Sequence, residues 1–188
     1  MRRTVLAVSG PPILLAGLGL THPHHLTGGS AHWWTVLHTV RLPLFPLLGV
    51  AHWVLLRYES GVLAWLGRAA ALLYVALYGA LDAIAGVGAG TVAQRADVDH
   101  APDRPEIRWL FAVGNQLGGA GAWSFLAACV ATSAALLRRY GRQAAPGAAL
   151  LLAAGVSFLD SHIYWPRGVV TMLVMAAGFG MLARVPRN

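Results

Sequence analysis

Six apolar stretches, at about 4–20, 33–56, 63–93, 109–137, 145–164 and 168–184, follow one another with only short polar segments between them. Each reaches or nearly reaches the ~20 residues that a helix rising 1.5 Å per residue needs to cross a bilayer's hydrocarbon core, and the third and fourth exceed it. In lipid the backbone must satisfy its own polar groups, so stretches of this kind predict helices and exclude open sheets. The expected fold is all-α: a polytopic integral membrane bundle of about six transmembrane helices, multi-pass in the cell membrane, with the lipid bilayer as its surroundings. The intervening segments are "THPHHLTGGSAH", "RYES", "QRADVDHAPDRPEIR", "RRYGRQAAP" and the tight corner "WPRG". None is a long linker, so residues 1–188 read as a single transmembrane domain.

Charge agrees with this reading. Only 11% of residues are charged and 57% are hydrophobic, whereas soluble domains carry about a quarter charged residues. A formal charge of +7 would suggest nucleic acid for a soluble chain. Here the basic residues are all arginine and flank the apolar stretches, so they read as orientation signals and nucleic acid is not an expected partner. With the N-terminus inside, Arg2, Arg3, Arg57, Arg68, Arg138, Arg139, Arg142, Arg184 and Arg187 fall on the cytoplasmic side. Arg95, Arg104, Arg108 and Arg167 fall outside, beside the acids Asp97, Asp99, Asp103 and Glu106. Nine arginines against four predict an N-in, C-in topology. A signal-peptide reading of "MRR" and the first apolar run competes, but Pro11 and Pro12 interrupt that run.

Against this apolar background "HTVRLPLFPLLGVAHW", residues 38–53, holds a permanent cation, Arg41. An unpaired charge at membrane depth costs about 2.5–3.5 kcal/mol even on lenient scales, so Arg41 needs a counter-charge. At 1.5 Å per residue Arg41 lies ~12 Å below the outer boundary. Asp82 falls near mid-membrane, Asn115 and Gln116 about 10 Å deep, and Ser157 and Asp160 within ~15 Å of the outer surface. His38, Arg41, Asp82, Asn115, Gln116 and Asp160 therefore form the expected ligand-binding set, with either Asp82 or Asp160 as the partner of Arg41. Gly86 with Gly90, and Gly114 with Gly118, form two GxxxG pairs at the same depth, where small residues allow close helix approach. Pro43 and Pro46 predict a kink just after Arg41.

Seven of the eight histidines, all but His52, lie on the outer side in this topology. "HPHH" reads as a solvated loop, with no ExxH, HExxH or CxxC spacing to mark a metal site. Imidazole nonetheless suits Zn and Cu, and His38 with His162 is the expected metal pair. A single b-type haem between His38 and His162 or a loop histidine, or a divalent metal, are the cofactors this pattern allows. His38 and His52 share a helix face fourteen residues apart, a spacing that resembles the ligand helices of cytochrome b proteins. No other histidine reaches the depth of His52, so a two-haem scheme lacks its fourth ligand. His162 sits about 200° from Asp160 on a helical wheel, so either the helix ends near 160 or one of them faces the headgroups. The lone Cys129 excludes an internal disulfide, a CxxC pair and a thiolate cage.

These features support three functions: an outward-facing polar pocket that binds or transports a small polar or anionic ligand, with Arg41 as anion contact; a membrane redox or metal protein with outer histidine ligands; and an accessory subunit whose polar residues hold helices together. Oligomerisation or membership of a larger complex is compatible with each.

Overall fold

The computed structural model describes residues 2–95 and 104–186. The loop residues Asp97, Asp99, His100 and Asp103, and Arg187 near the C-terminus, lie outside that set. Among the described residues the chain is all-helical. In order it forms α1 (Arg2–Gly19), α2 (Ala31–Arg41), α3 (Leu44–Leu56) and α4 (Val62–Leu81). A π-helical segment, Asp82–Gly88, continues α4 into α5 (Ala89–Arg95). Then come α6 (Pro105–Tyr140), a 3-10 turn at Gly141–Gln143, α7 (Ala145–Ser161) and α8 (Arg167–Arg184).

Among the described residues four helical units are long and apolar enough to cross a membrane: Ala31–Leu56, Val62–Arg95, Pro105–Gln143 and Arg167–Arg184. The fifth apolar stretch gives a shorter helix, Ala145–Ser161, and α1 packs against α8. Leu6, Ile13, Leu66, Leu72, Leu73, Val130, Val156 and Val170 all point outward and exposed. Helices that are apolar on their outer faces as well as in the core belong in a non-aqueous surrounding.

The expected kink is a break. Leu42 and Pro43 separate α2 from α3, with the Leu42 N–H still donating to the His38 carbonyl at 2.9 Å. Pro46 lies in the first turn of α3, where its missing N–H leaves no helix bond unmade. Arg41 is thus the last residue of α2. The fifth stretch is also shorter than the 145–164 read from hydropathy: the helix stops at Ser161, and His162 turns the chain with φ 44°.

Close packing of α4 on α6 holds the bundle together. Gly114, Gly118 and Gly121 lie directly against Ala85, Leu81 and Tyr78, and a Cβ at Gly121 would come within 2.9 Å of the Tyr78 backbone nitrogen. Gly86 and Gly90 do the same for α2, lying against His38 and against Trp34 and Thr35. Both GxxxG pairs are therefore contact faces. Beneath them Phe45, Tyr74, Tyr78, Phe125, Phe158 and Phe179 form the buried core.

Candidate functional site

The polar residues converge at one end of the bundle. Trp34, His38 and Arg41 recur at helical spacing on the buried face of α2. Asp82 opens the π-helical segment, whose Ala85 carbonyl accepts a bond from the Trp34 indole N–H at 3.3 Å. Wider π turns free carbonyls from regular pairing, and such segments recur at functional sites. Because Gly86 has no side chain, α2 comes close enough for His38 to reach this segment. His22, from the α1–α2 connection, and His162, from the α7–α8 turn, complete the group.

Arg41 has no solvent-exposed surface. Its Nη2 donates to Asp82 Oδ1 at 3.0 Å and its Nη1 to His162 Nε2 at 3.1 Å. The guanidinium also sits 5.5 Å from the centre of the Phe45 ring. The counter-charge of Arg41 is therefore Asp82. Asp160 instead pairs with Arg167 at 2.7 Å, at the exposed rim.

Hydrogen bonding fixes the ring protons. Arg41 can only donate, so His162 Nε2 accepts, and His162 Nδ1–H donates to the Tyr78 hydroxyl at 2.5 Å. His38 Nδ1–H donates to the Trp34 carbonyl at 2.7 Å, and His22 Nδ1–H to the Pro23 carbonyl at 2.6 Å. In each neutral ring Nε2 is then left with a lone pair. That of His38 lies 3.9 Å from Asp82 Oδ1. Among the described residues that of His22 is buried without a partner, as are Asp82 Oδ2 and Arg41 Nε. Burial foremost, and then the Arg41 charge, lower the His22 pKa from 6.5 to about 3; the Pro23 bond opposes them and His24 adds slightly.

A cavity of about 230 Å³ adjoins this network. His38, Asp82, Asn115, Asp160 and His162 line it, with Trp34, Tyr78 and Tyr164. Two members of the expected set stand apart: Arg41 lies behind the wall and Gln116 faces outward from α6. Two participants, Tyr78 and Trp34, had no signal in the sequence. His22 belongs to "HPHH", whose imidazoles could offer a ligand, but no spacing singles it out and no periodicity ties it to α2. Tyr78 and Trp34 carry the patterns of a core aromatic and an interfacial tryptophan.

One ring nitrogen from each of His22, His38 and His162 lies within 4.8 Å of the other two, so these three can hold a metal ion. The His22 ring meets both His38 and His162 edge to face, at centroid distances of 5.2 and 5.7 Å, so it packs against both histidines of the expected haem pair.

The remaining buried histidine, His52, is elsewhere. Its Nδ1 bonds Thr132 Oγ1 at 2.9 Å, and Nε2 lies 4.0 Å from Cys129 Sγ. At the arginine-rich end, Glu59 accepts from Arg139 at 3.2 Å and from the Tyr140 hydroxyl at 3.1 Å. No protein-family model, curated protein or solved structure matches this chain.

Proposed function

We propose that this is a six-span protein of the cell membrane, with both termini cytoplasmic, whose cavity opens to the outer face and binds a small polar ligand rich in hydrogen-bond donors. The arginine asymmetry supports the orientation. It sets the cluster of Arg57, Arg68, Arg138, Arg139 and Arg142 inside and the cavity outside.

One observation carries the ligand class: Asp82 Oδ2 is buried in the cavity wall with no partner among the described residues. An unsatisfied buried acceptor costs about 1–3 kcal/mol, more for a charged group, and a donor in the cavity removes that penalty. An anion is the less favoured occupant, because Arg41 presents no surface to the cavity and is already neutralised by Asp82. Arg41 then acts as a positioning residue that fixes Asp82 and His162.

The test fills the cavity. Gly119 lines it, and a Cβ there meets nothing within 4 Å, so Gly119→Leu should occupy the space while the bundle folds. The expected result is normal expression and melting with loss of complementation in a deletion strain. Full complementation by a correctly folded Gly119→Leu protein would remove the pocket as the working site. Cysteine labelling after Cys129→Ala should reach position 100 from outside and position 141 from inside.

A further inference from the structure

Resting on the pocket reading above, we infer that His22, His38 and His162 form a binding site for one divalent transition-metal ion of the zinc or copper type, with a fourth coordination position facing the cavity.

Three independent features of the cluster point to this ligand. The first is convergence: three imidazoles from three separate parts of the chain bring their nitrogens within 4.8 Å. A tetrahedral site with bonds of 2.0–2.1 Å needs nitrogens about 3.4 Å apart. Closing that difference takes side-chain rotation of ~1 Å. The second is the outer set of bonds. Each ring has its Nδ1 engaged, by the Pro23 carbonyl, the Trp34 carbonyl and the Tyr78 hydroxyl. Metal-binding histidines carry this kind of second bond, which fixes the tautomer and aims the other nitrogen at the ion. The third is the unpartnered His22 Nε2, on a residue only 5% exposed. A neutral nitrogen left bare in a buried position is an acceptor awaiting a cation or a donor.

The donor set selects the metal. Imidazole suits zinc and copper, whereas calcium and magnesium demand oxygen ligands. Arg41 Nη1 donates to the lone pair of His162 Nε2. An entering ion replaces that contact, while Nη2 keeps Arg41 on Asp82. The cavity supplies the open position, because His38 and His162 line it. Open positions distinguish sites that bind or activate a small molecule from closed structural ones.

The experiment uses the full-length protein in detergent, stripped with a chelator and dialysed against Zn2+ or Cu2+, with bound metal counted by mass spectrometry. The inference expects one ion per chain, with affinity reduced tenfold or more by His22→Ala and again by His162→Ala. The double change His24→Ala/His25→Ala should leave the affinity unaltered. Cobalt substitution should give the intense visible absorption of a tetrahedral nitrogen site. His22→Ala is the deciding variant, since His22 lies in a connection rather than a span and monodispersity reports its folding. Absence of a stoichiometric ion in the wild-type protein, or an ion that follows His24 and His25 instead of His22, overturns the site. If no ion binds while Gly119→Leu is still inactive, the metal inference falls and the pocket reading stands. If an ion binds as expected while Gly119→Leu complements fully, the pocket reading falls and the metal site stands.

Discussion

His38 and His52 lie fourteen residues apart in the same hydrophobic stretch and are both buried, yet their surroundings differ in kind. His52 is packed edge-on by Phe125 and Phe179 and hydrogen-bonded by Thr132. Among the described residues its titratable hydrogen-bond neighbour is the buried Cys129. His38 meets Asp82, His22 and the cavity, among polar atoms that lack partners. Burial of a histidine therefore says little about its use. Whether its neighbours leave unsatisfied groups beside open space says more: the His52 pair joins helices, and the His38 cluster leaves capacity for a ligand.

The largest effect that would break this contrast is removal of Arg41. Arg41→Ala leaves Asp82 buried without its cation, at a cost of about 3–5 kcal/mol. Joint replacement of Arg41 and Asp82 by apolar residues of similar volume should recover most of that stability, yet the protein should remain inactive in complementation. The equivalent double change at the other site, His52→Leu with Thr132→Val, should leave both fold and complementation intact. A double-mutant cycle followed by thermal unfolding measures the coupling. Activity in the apolar Arg41/Asp82 variant would make both polar sites structural.

The next effect tests how α2 is held. Gly86→Ala drives a methyl group into the His38 side chain, and overpacking of this kind costs about 1–3 kcal/mol. It should also displace His38 and lower metal affinity. Thr132→Val leaves His52 Nδ1 without its partner, a similar loss of about 1–3 kcal/mol, but should not change metal affinity. Equal effects of the two substitutions on metal binding would dissolve the distinction between the sites.

Much of this was legible before the structure, because hydropathy and charge cost act over short range. The six apolar stretches correspond to helical units, and the need of Arg41 for a counter-charge follows from physics alone. The choice between Asp82 and Asp160 does not, since both fall within reach in depth. It is decided by the end of α7 at Ser161 and by Arg167, which takes Asp160 to the rim. The helix stops before His162, whose φ of 44° turns the chain, and its ring bonds Arg41 and Tyr78, contacts that a helical wheel does not reveal. His22 was illegible for a different reason: a loop residue's burial depends on contacts with α2 and with Tyr164, which no local pattern encodes. The π-helical segment likewise follows from packing rather than from a signature in "DAIAGVG".

A further effect comes from pH. His22 has a folded pKa of about 3 against 6.5 when unfolded, so the unfolded chain binds the proton more readily. Its contribution to stability is complete above pH 6.5 and declines as pH falls toward 3. The slope approaches about 1.4 kcal/mol per pH unit. His22→Asn should flatten that part of the acid limb in thermal unfolding between pH 6 and 4. An unchanged slope would mean that His22 is solvated, and would remove it from the buried cluster.

The smallest expected effect sharpens the boundary of the site. Asp160 and Arg167 are about 64% and 61% exposed, and surface pairs of this kind contribute about 0–1 kcal/mol. Asp160→Asn should therefore change unfolding by less than ~1 kcal/mol, and that change should shrink further in high salt as the pair is screened. Combined with Arg41→Ala, its effect should simply add, because the two residues share no partner. Coupling of Asp160 to Arg41 above ~1 kcal/mol would mean that the carboxylate at the rim also serves the buried cation. Asp82 would then lose its place as the sole counter-charge, and its unpartnered oxygen could no longer be taken as the acceptor left for a ligand.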